Sequence, residues 1–253
     1  MERSQGPASR TGAALSFRHT RMVYADGTEA IRDATFDVNP GEVVGVVGPS
    51  GCGKSTLLRI ASGLIQASSG QVSVDNESLG YVFQDATLLP WRTVMRNVEL
   101  LLELNGVPAT ERREIAQKNI DLVGLTGFEN HYPKRLSGGM KMRTSLARSL
   151  TRNPKVFLFD EPFGALDEIT RERMQDELLS LFMTQQFAAL FITHSIQEAV
   201  FLSRRVLVMS ARPGRIAAEF EVPFEYPRHH DVRYEPAFAE LNGRVSASLR
   251  ACS

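Results

Sequence analysis

Residues 48–55 read Gly-Pro-Ser-Gly-Cys-Gly-Lys-Ser, directly after the apolar run Val43–Val47. Glycines at this spacing let the backbone wrap around a phosphate group with its N–H groups pointing inward, and a helix that starts there adds positive partial charge. The apolar run is typical of a buried strand, and Ser55–Ile60 has the pattern of a helix. A glycine-rich turn without a ligand is the alternative, but the strand and helix on either side favour a phosphate-binding loop, called here the phosphate loop.

Two side chains of the phosphate loop have predicted roles of their own. Lys54 would reach the β- and γ-phosphates of a nucleotide, and the Ser55 hydroxyl would coordinate Mg²⁺. ATP and Mg²⁺ are therefore the expected cofactors. The predicted nucleotide-binding residues of this segment are Gly48, Pro49, Ser50, Gly51, Cys52, Gly53, Lys54, Ser55 and Thr56.

A second apolar run, Val156–Phe159, ends in Asp160 and Glu161. Ligands of α/β sheets bind where such strands end, so these carboxylates are expected beside the phosphate loop. Asp160 would hold Mg²⁺, and Glu161 would polarise the water that attacks the γ-phosphate. Two solvated acids at a strand end are the alternative, and only the pairing with the phosphate loop favours catalysis.

The rest of the chain continues the alternation of strands and helices. A polar helix over about residues 168–185 separates Val156–Phe159 from a third apolar run, Ala189–Ile192. Strand, helix and strand in this order predict parallel pairing with crossover helices, an α/β fold. A face of Phe238, Leu241, Val245 and Leu249 predicts a helix in the C-terminal tail.

Composition limits the alternatives. The 253 residues contain 29 basic and 29 acidic side chains, so no net charge draws the chain to nucleic acid. No stretch approaches the roughly 20 apolar residues that span a bilayer. The first residues lack the apolar segment of a secretory signal, and we expect a disordered lead over residues 1–14.

Leu136-Ser137-Gly138-Gly139-Met140 resembles the signature motif of ABC ATPases, and the resemblance extends from about Leu15 to Gly214. It implies a P-loop NTPase ABC cassette with a RecA-like core, an antiparallel β subdomain and a helical signature subdomain. The implied ATPase domain covers residues 15–225, with the helical subdomain at about 95–150 and a tail at 226–253. It also implies that Leu136, Ser137, Gly138, Gly139 and Met140, the signature loop, contact the ATP of a second subunit.

Four more residues match family motifs by position. Tyr24 lies where the family stacks an aromatic ring on adenine, and Gln84 where the Q-loop senses Mg²⁺ and the attacking water. Asp167 ends the D-loop, Gly164–Asp167, and His194 matches the switch histidine that contacts the γ-phosphate. Each alone has an ordinary explanation, as a packed aromatic or a polar loop residue. Their order and spacing favour the functional interpretation, with Glu161, His194 and Gln84 catalytic.

Leu88–Val94, Thr193–Ala199 and Met209–Ile216 resemble the nitrate, sulfonate and taurine importer branch, which also includes importers of pyrimidine vitamin precursors. The implied partners are a second cassette, identical or related, two permease subunits and, through the complex, a periplasmic or lipid-anchored substrate-binding protein. Nucleic acid is not among them. The implied location is the cytoplasmic face of the inner membrane, as a peripheral subunit. Trp91 is either part of the permease groove or a half-buried packing residue.

Three departures from the family pattern stand out: Met140 in place of a frequent glutamine, Ser195 in place of aspartate, and Arg204 in place of aspartate. Cys52, near a helix start and Lys54, is expected to have a lowered thiol pKa and to react with maleimide, which would block ATPase activity; the alternative is that only its backbone matters. Rival classes are a soluble ABC ATPase of ribosomes or DNA, an exporter subunit, and a P-loop kinase or GTPase. The single cassette argues against the first, and the signature motif against the last.

Overall fold

The computed structural model describes residues 12–74 and 79–252. Within these residues nine strands form one sheet in the order β4-β1-β2-β9-β8-β3-β7-β6-β5. The strands are β1 Leu15–Val23, β2 Glu29–Val38, β3 Val43–Val47, β4 Ser69–Val74, β5 Leu79–Val82, β6 Val156–Asp160, β7 Ala188–Ile192, β8 Arg205–Met209 and β9 Gly214–Glu221. The helices are α1 Lys54–Ala61, α2 Val94–Val98, α3 Leu100–Leu104, α4 Ala109–Leu122, α5 Gly138–Leu150, α6 Glu168–Gln185, α7 Ile196–Leu202 and α8 Pro236–Ala251.

The centre of the sheet is parallel. Strand β3 lies between β7 and β8, and β7 continues through β6 to β5, all in parallel. Every residue of β3 and β7 is buried, because helices cover both faces of this part of the sheet. Alternate residues of β3 enter two different hydrophobic clusters, Val43 and Val47 on one face and Val44 and Val46 on the other. The predicted α/β core is confirmed.

The other half of the sheet is largely antiparallel. Strand β1 pairs antiparallel with β2 and with β4, and Phe17 stacks on Phe36 across the first pair at 4.7 Å between ring centroids. A Cβ on Gly70 would lie 2.3 Å from the His19 carbonyl oxygen, so the close approach of β4 to β1 requires glycine there. This half joins the core through parallel pairing of β2 with β9. It is the antiparallel β subdomain that the sequence predicts.

Helices α2 to α5 form a lobe beside the sheet, between Val94 and Leu150. Asn97, fully buried on α2, bonds the backbone at both ends of the preceding loop. Its Oδ1 accepts from the Leu89 N–H at 2.8 Å, and its Nδ2 donates to the Leu89 and Thr93 carbonyls at 3.2 and 3.0 Å. This loop is therefore fixed, and it carries Trp91, whose exposed fraction of 71% excludes the half-buried packing alternative.

The C-terminal segment lies against α7. The Arg228 guanidinium, buried, donates to the carbonyls of Val200, Phe201 and Ser203 at the end of that helix, at 2.8 to 2.9 Å. On α8 the predicted apolar face is present: Phe238, Leu241 and Val245 are buried, and Leu249 packs against the same cluster. Of the predicted lead, residues 1–11 lie outside the described residues. No helix in the described ranges has the length and apolar character needed to cross a membrane.

Candidate nucleotide-binding site

The phosphate loop takes the conformation that its glycines predict. Gly51 and Gly53 have φ angles of 74° and 108°, in the left-handed region that glycine tolerates best. A Cβ on Gly53 would lie 2.8 Å from the Ala30 carbonyl oxygen, so the loop also passes close to β2. Helix α1 begins at Lys54, whose Nζ donates to the carbonyls of Gly48 and Pro49 at 2.8 and 3.1 Å. The amino group thus lies across the mouth of the loop.

Ser55 and Asp160 meet although they are far apart in sequence. The Ser55 hydroxyl donates to Asp160 Oδ1 at 3.0 Å. Burial raises the pKa of Asp160, an effect that the hydrogen bond from Ser55 partly offsets and that the neighbouring charge of Glu161 reinforces. Mg²⁺ prefers oxygen ligands and is held by one or two protein groups together with phosphates. A hydroxyl beside a carboxylate fits that requirement, and the described residues contain no cluster of three or more His, Cys, Asp or Glu that would hold a metal alone.

Glu161 leaves its strand with an unusual backbone. Its φ is 46°, left-handed for a non-glycine residue, and its N–H donates to the Ile192 carbonyl at 2.9 Å. Such strained backbone is found where the surrounding structure fixes a side chain for function. The turn brings Glu161 Oε2 to 3.1 Å from His194 Nδ1, so the predicted base and the predicted switch histidine are in hydrogen-bond contact.

Gln84 lies next to the same pair. A Cβ built on Gly164 would lie 3.6 Å from Gln84 Nε2 and 3.7 Å from His194 Cε1. Gln84 and His194 therefore both border Gly164, on the D-loop. Arg148 of α5 holds the segment after Gln84, since its guanidinium donates to the carbonyls of Ala86 and Thr87 at 3.1 and 3.0 Å.

Tyr24 closes one side of a cavity of about 280 Å³ above the phosphate loop. Its hydroxyl is 3.0 Å from Thr56 Oγ1, at the start of α1. Arg212 lines the same cavity, and sequence reasoning did not identify it. The motif Met209–Ile216 contains this arginine, but nothing in the motif indicates which side chain reaches the phosphate loop. The lining residues are Tyr24, Ala30, Ser50, Gly51, Gly53, Lys54, Ser55, Thr56, Glu161 and Arg212.

The signature loop is not part of this cavity. It begins α5: the Ser137 hydroxyl caps the helix by accepting from the Met140 N–H at 3.3 Å. Added Cβ atoms on Gly138 and Gly139 would lie 3.1 Å from Leu166 and 3.0 Å from Thr170, so the loop packs against the D-loop and the start of α6. Asp167 caps α6 by accepting from the Thr170 N–H at 3.0 Å, a bond that lowers its pKa. The predicted residues thus form two groups, one around the phosphate loop and one at the signature loop.

The expectation of a lowered pKa for the Cys52 thiol is wrong. Cys52 is 1% exposed, and burial raises its pKa, which outweighs the opposing charge of Lys54. A Cβ on Gly48 would lie 2.8 Å from Cys52 Sγ, so the thiol points into the interior under the loop. Proximity to a helix start and a lysine does not lower a thiol pKa when the sulfur faces away from solvent.

Comparisons with known proteins agree with this geometry. The ABC transporter family profile matches residues 31–164. The nitrate import ATP-binding protein NrtD of Synechocystis is 43% identical over 234 residues, 87% of this chain and 88% of that protein. The taurine import ATP-binding protein TauB of Rhizobium johnstonii is 42% identical over 240 residues, 90% of this chain and 92% of that protein.

A solved structure has the same fold. An ATP-binding cassette determined as a dimer, in a post-hydrolysis state bound to ADP and Pi, superposes with a TM-score of 0.73 and 29% identity. The match covers 83% of this chain and 100% of the cassette. The chain therefore belongs to the ABC transporter family. Within that family it is an ATP-binding and ATP-hydrolysing subunit of the nitrate, sulfonate and taurine branch.

Proposed function

We propose that this chain powers an importer of a small molecule, with Glu161 as the base of ATP hydrolysis. The observation that carries the proposal is the convergence of Lys54, Ser55, Asp160, Glu161 and His194 at the carboxyl ends of parallel strands. The Glu161 carboxylate accepts a proton from the attacking water while the water oxygen bonds to the γ-phosphorus. The bond between the γ-phosphorus and ADP breaks, and ADP leaves. His194, in contact with Glu161, keeps that carboxylate oriented and contacts the γ-phosphate.

Mg²⁺ completes the proposed site. Ser55 and Asp160, in hydrogen-bond contact with each other, would be its protein ligands, and Gln84 would sense the ion and the attacking water. When bound, the ion neutralises charge on the β- and γ-phosphates. Gln84 connects this end of the site to the loop that Arg148 and Asn97 hold, so a change at the nucleotide reaches Trp91 through bonded backbone.

The signature loop supplies the second half of the site. Ser137, Gly138 and Gly139 start a helix whose first N–H groups suit an anion, and they lie outside the cavity of their own chain. In the proposed dimer they contact the ATP bound by the other cassette, identical or related. ATP therefore holds two subunits together, and its hydrolysis releases them.

The proposed partners follow from the relatives. Two permease subunits bind at the groove where Trp91 is exposed, and a periplasmic or lipid-anchored substrate-binding protein delivers the substrate. The substrate class is nitrate, a sulfonate, taurine or a pyrimidine vitamin precursor, in line with the nitrate and taurine names of NrtD and TauB. The subunit is peripheral, at the cytoplasmic face of the inner membrane, and does not act on nucleic acid.

The test is dimerisation of the Glu161→Gln variant on a sizing column with and without ATP and Mg²⁺. Without its base the protein should retain ATP and elute as a dimer only when ATP is present. A Glu161→Gln, Lys54→Ala variant is the matched control, because it also lacks hydrolysis but should not bind the phosphates and should stay monomeric. If the control variant dimerises with ATP, the assignment of Lys54 is wrong. If Glu161→Gln binds ATP and hydrolyses it at the wild-type rate, the assignment of Glu161 is wrong.

A further inference from the structure

The β8–β9 loop, residues 210–213, brings an arginine to the nucleotide cavity. Arg212 Nε and Nη2 both donate to the Gly51 carbonyl, at 3.1 and 3.0 Å. A Cβ on Gly51 would lie 3.3 Å from Arg212 Nη2, so the guanidinium is in contact with the outer turn of the phosphate loop. Arg212 also lines the cavity that Lys54 and Thr56 line. The side chain is therefore held at the rim of the site by the loop that binds phosphate.

In the ranges that the structure describes, no acidic side chain forms a salt bridge with Arg212, and its guanidinium bonds the Gly51 carbonyl instead. An arginine has five N–H donors, and the bonds to Gly51 engage only part of them. Its positive charge acts on two nearby groups. The hydrogen bonds from Thr28 lower the pKa of Asp26, and the charge of Arg212 lowers it further. Burial raises the pKa of the Cys52 thiol, and the charge of Arg212 acts against that rise.

The β8–β9 loop is fixed from behind by the end of α8. The Ala211 N–H donates to the Cys252 carbonyl at 2.8 Å, just beyond the last turn of that helix. Within the loop, the Ser210 hydroxyl donates to the carbonyls of Ala211 and Pro213 at 3.0 and 3.3 Å. The residue before Arg212 is thus tied to the C-terminal helix, while the Arg212 side chain is tied to the phosphate loop.

We propose that Arg212 is a nucleotide-binding residue that contacts the phosphate groups of bound ATP, and that the end of α8 positions it. A guanidinium offers a planar fork of donors that matches phosphate oxygens, and it stays charged at any physiological pH. This inference rests on the assignment of the phosphate loop to ATP. It gives the C-terminal tail a role in nucleotide affinity, which no motif of the tail indicates.

The first experiment measures the dissociation constants of a fluorescent ATP analogue and of competing tripolyphosphate for Arg212→Ala. Both constants should rise about fivefold or more relative to wild type. Arg215→Ala is the matched control, because Arg215 is an exposed arginine of the same segment that does not line the cavity, and it should bind as wild type does. Unchanged constants in Arg212→Ala, or a loss for the ATP analogue without a loss for tripolyphosphate, would overturn contact with the phosphates.

The second experiment tests the positioning role of α8. A chain ended at Arg250 lacks the Cys252 carbonyl and should lose nucleotide affinity by about the same factor as Arg212→Ala. The two changes together should cause no further loss, because they disable one contact. Thermal melting of each variant confirms that the fold persists. Wild-type affinity in the shortened chain, or losses that multiply in the double variant, would refute the link between α8 and Arg212.

Lys54→Ala separates this inference from the proposed site itself. It should abolish binding of the ATP analogue, whatever Arg212 does. If Lys54→Ala binds as wild type does, the phosphate-loop assignment fails, and the inference about Arg212 fails with it. If Lys54→Ala loses binding while Arg212→Ala does not, only the role of Arg212 is refuted.

Discussion

Ser195 stands where the family often carries aspartate, and its contacts explain how a hydroxyl serves there. Its Oγ accepts from the Glu198 N–H at 3.3 Å and caps α7, the helix that follows His194. Its own N–H donates to Thr193 Oγ1 at 3.0 Å. Aspartate and serine both satisfy a helix N-terminus in this way. The departure at residue 195 therefore preserves the N-cap of the helix that follows His194.

Ser195→Ala should lower the free energy of unfolding by about 1 kcal/mol, the usual cost of losing an N-cap side chain. The hydroxyl bond is lost while the size of the side chain hardly changes. Urea unfolding followed by circular dichroism measures the difference, and Ser195→Asp, which retains a capping oxygen, should remain close to wild type. Equal stability of the alanine variant and wild type would show that the cap contributes nothing.

Cys52 provides the second prediction at this scale. Because its thiol is buried and its pKa is raised, thiolate should be scarce and maleimide should label Cys52 slowly. Cys252, partly exposed, is an internal control in the same chain. Mass spectrometry should find one label in the native protein and two in urea. Rapid native labelling of Cys52, identified by peptide mapping, would contradict the buried orientation.

Arg204, which departs from the family pattern, packs on an aromatic ring of the segment that follows β9. It replaces the usual aspartate before Arg205, and its guanidinium lies over the Tyr226 ring at 5.0 Å, with Arg228 on the same ring at 4.3 Å. The Tyr226 hydroxyl donates to the Leu202 carbonyl at 2.7 Å, so the ring also closes the end of α7. Burial raises the pKa of Tyr226 to about 12, which keeps it neutral. The segment after β9 thus binds the Arg204 side chain through a cation–π contact with Tyr226.

Glu198 links α7 to α6 and gives the fold a dependence on pH. It is buried and accepts a hydrogen bond from the Thr193 hydroxyl. It also lies 3.6 Å from Arg171, which donates to the Leu166 carbonyl within the D-loop. Burial raises the pKa of Glu198 in the folded protein. The hydrogen bond from Thr193 and the charges of Arg171 and His194 lower it, but burial has the larger effect. The folded chain therefore holds this proton at a pH where the unfolded chain has released it.

The sign of the effect follows from that difference in bound protons. As pH rises from the ordinary glutamate pKa of 4.5 towards the raised folded value, the contribution of Glu198 to the free energy of unfolding should fall. Urea unfolding across this range, for wild type and Glu198→Gln, isolates the contribution. The variant should show a weaker decline with pH. Parallel pH profiles for the two proteins would mean that Glu198 titrates alike in the folded and unfolded states.

At the scale of the whole molecule, local patterns predicted the parts of the fold that depend on neighbouring residues. The parallel core followed from apolar runs and the helices between them, and α6 occupies Glu168–Gln185 as expected. Motif order brought Ser55, Asp160, Glu161 and His194 together correctly. Contacts that join distant segments left no local pattern. Arg212 with Gly51, Arg228 with the end of α7, and the inward Cys52 thiol depend on how separate elements pack.

The pairing of β2 with β9, through Ile31 with Gly214 and Asp33 with Arg215, is the seam that joins the two halves of the sheet. Tyr24 belongs to one half and the phosphate loop to the other, and both line the nucleotide cavity. A ligand bound by both halves links them across the short β2–β9 pairing. Nucleotide binding should therefore suppress local opening between the halves, and amide hydrogens of β2 and β9 should exchange more slowly when the nucleotide is bound.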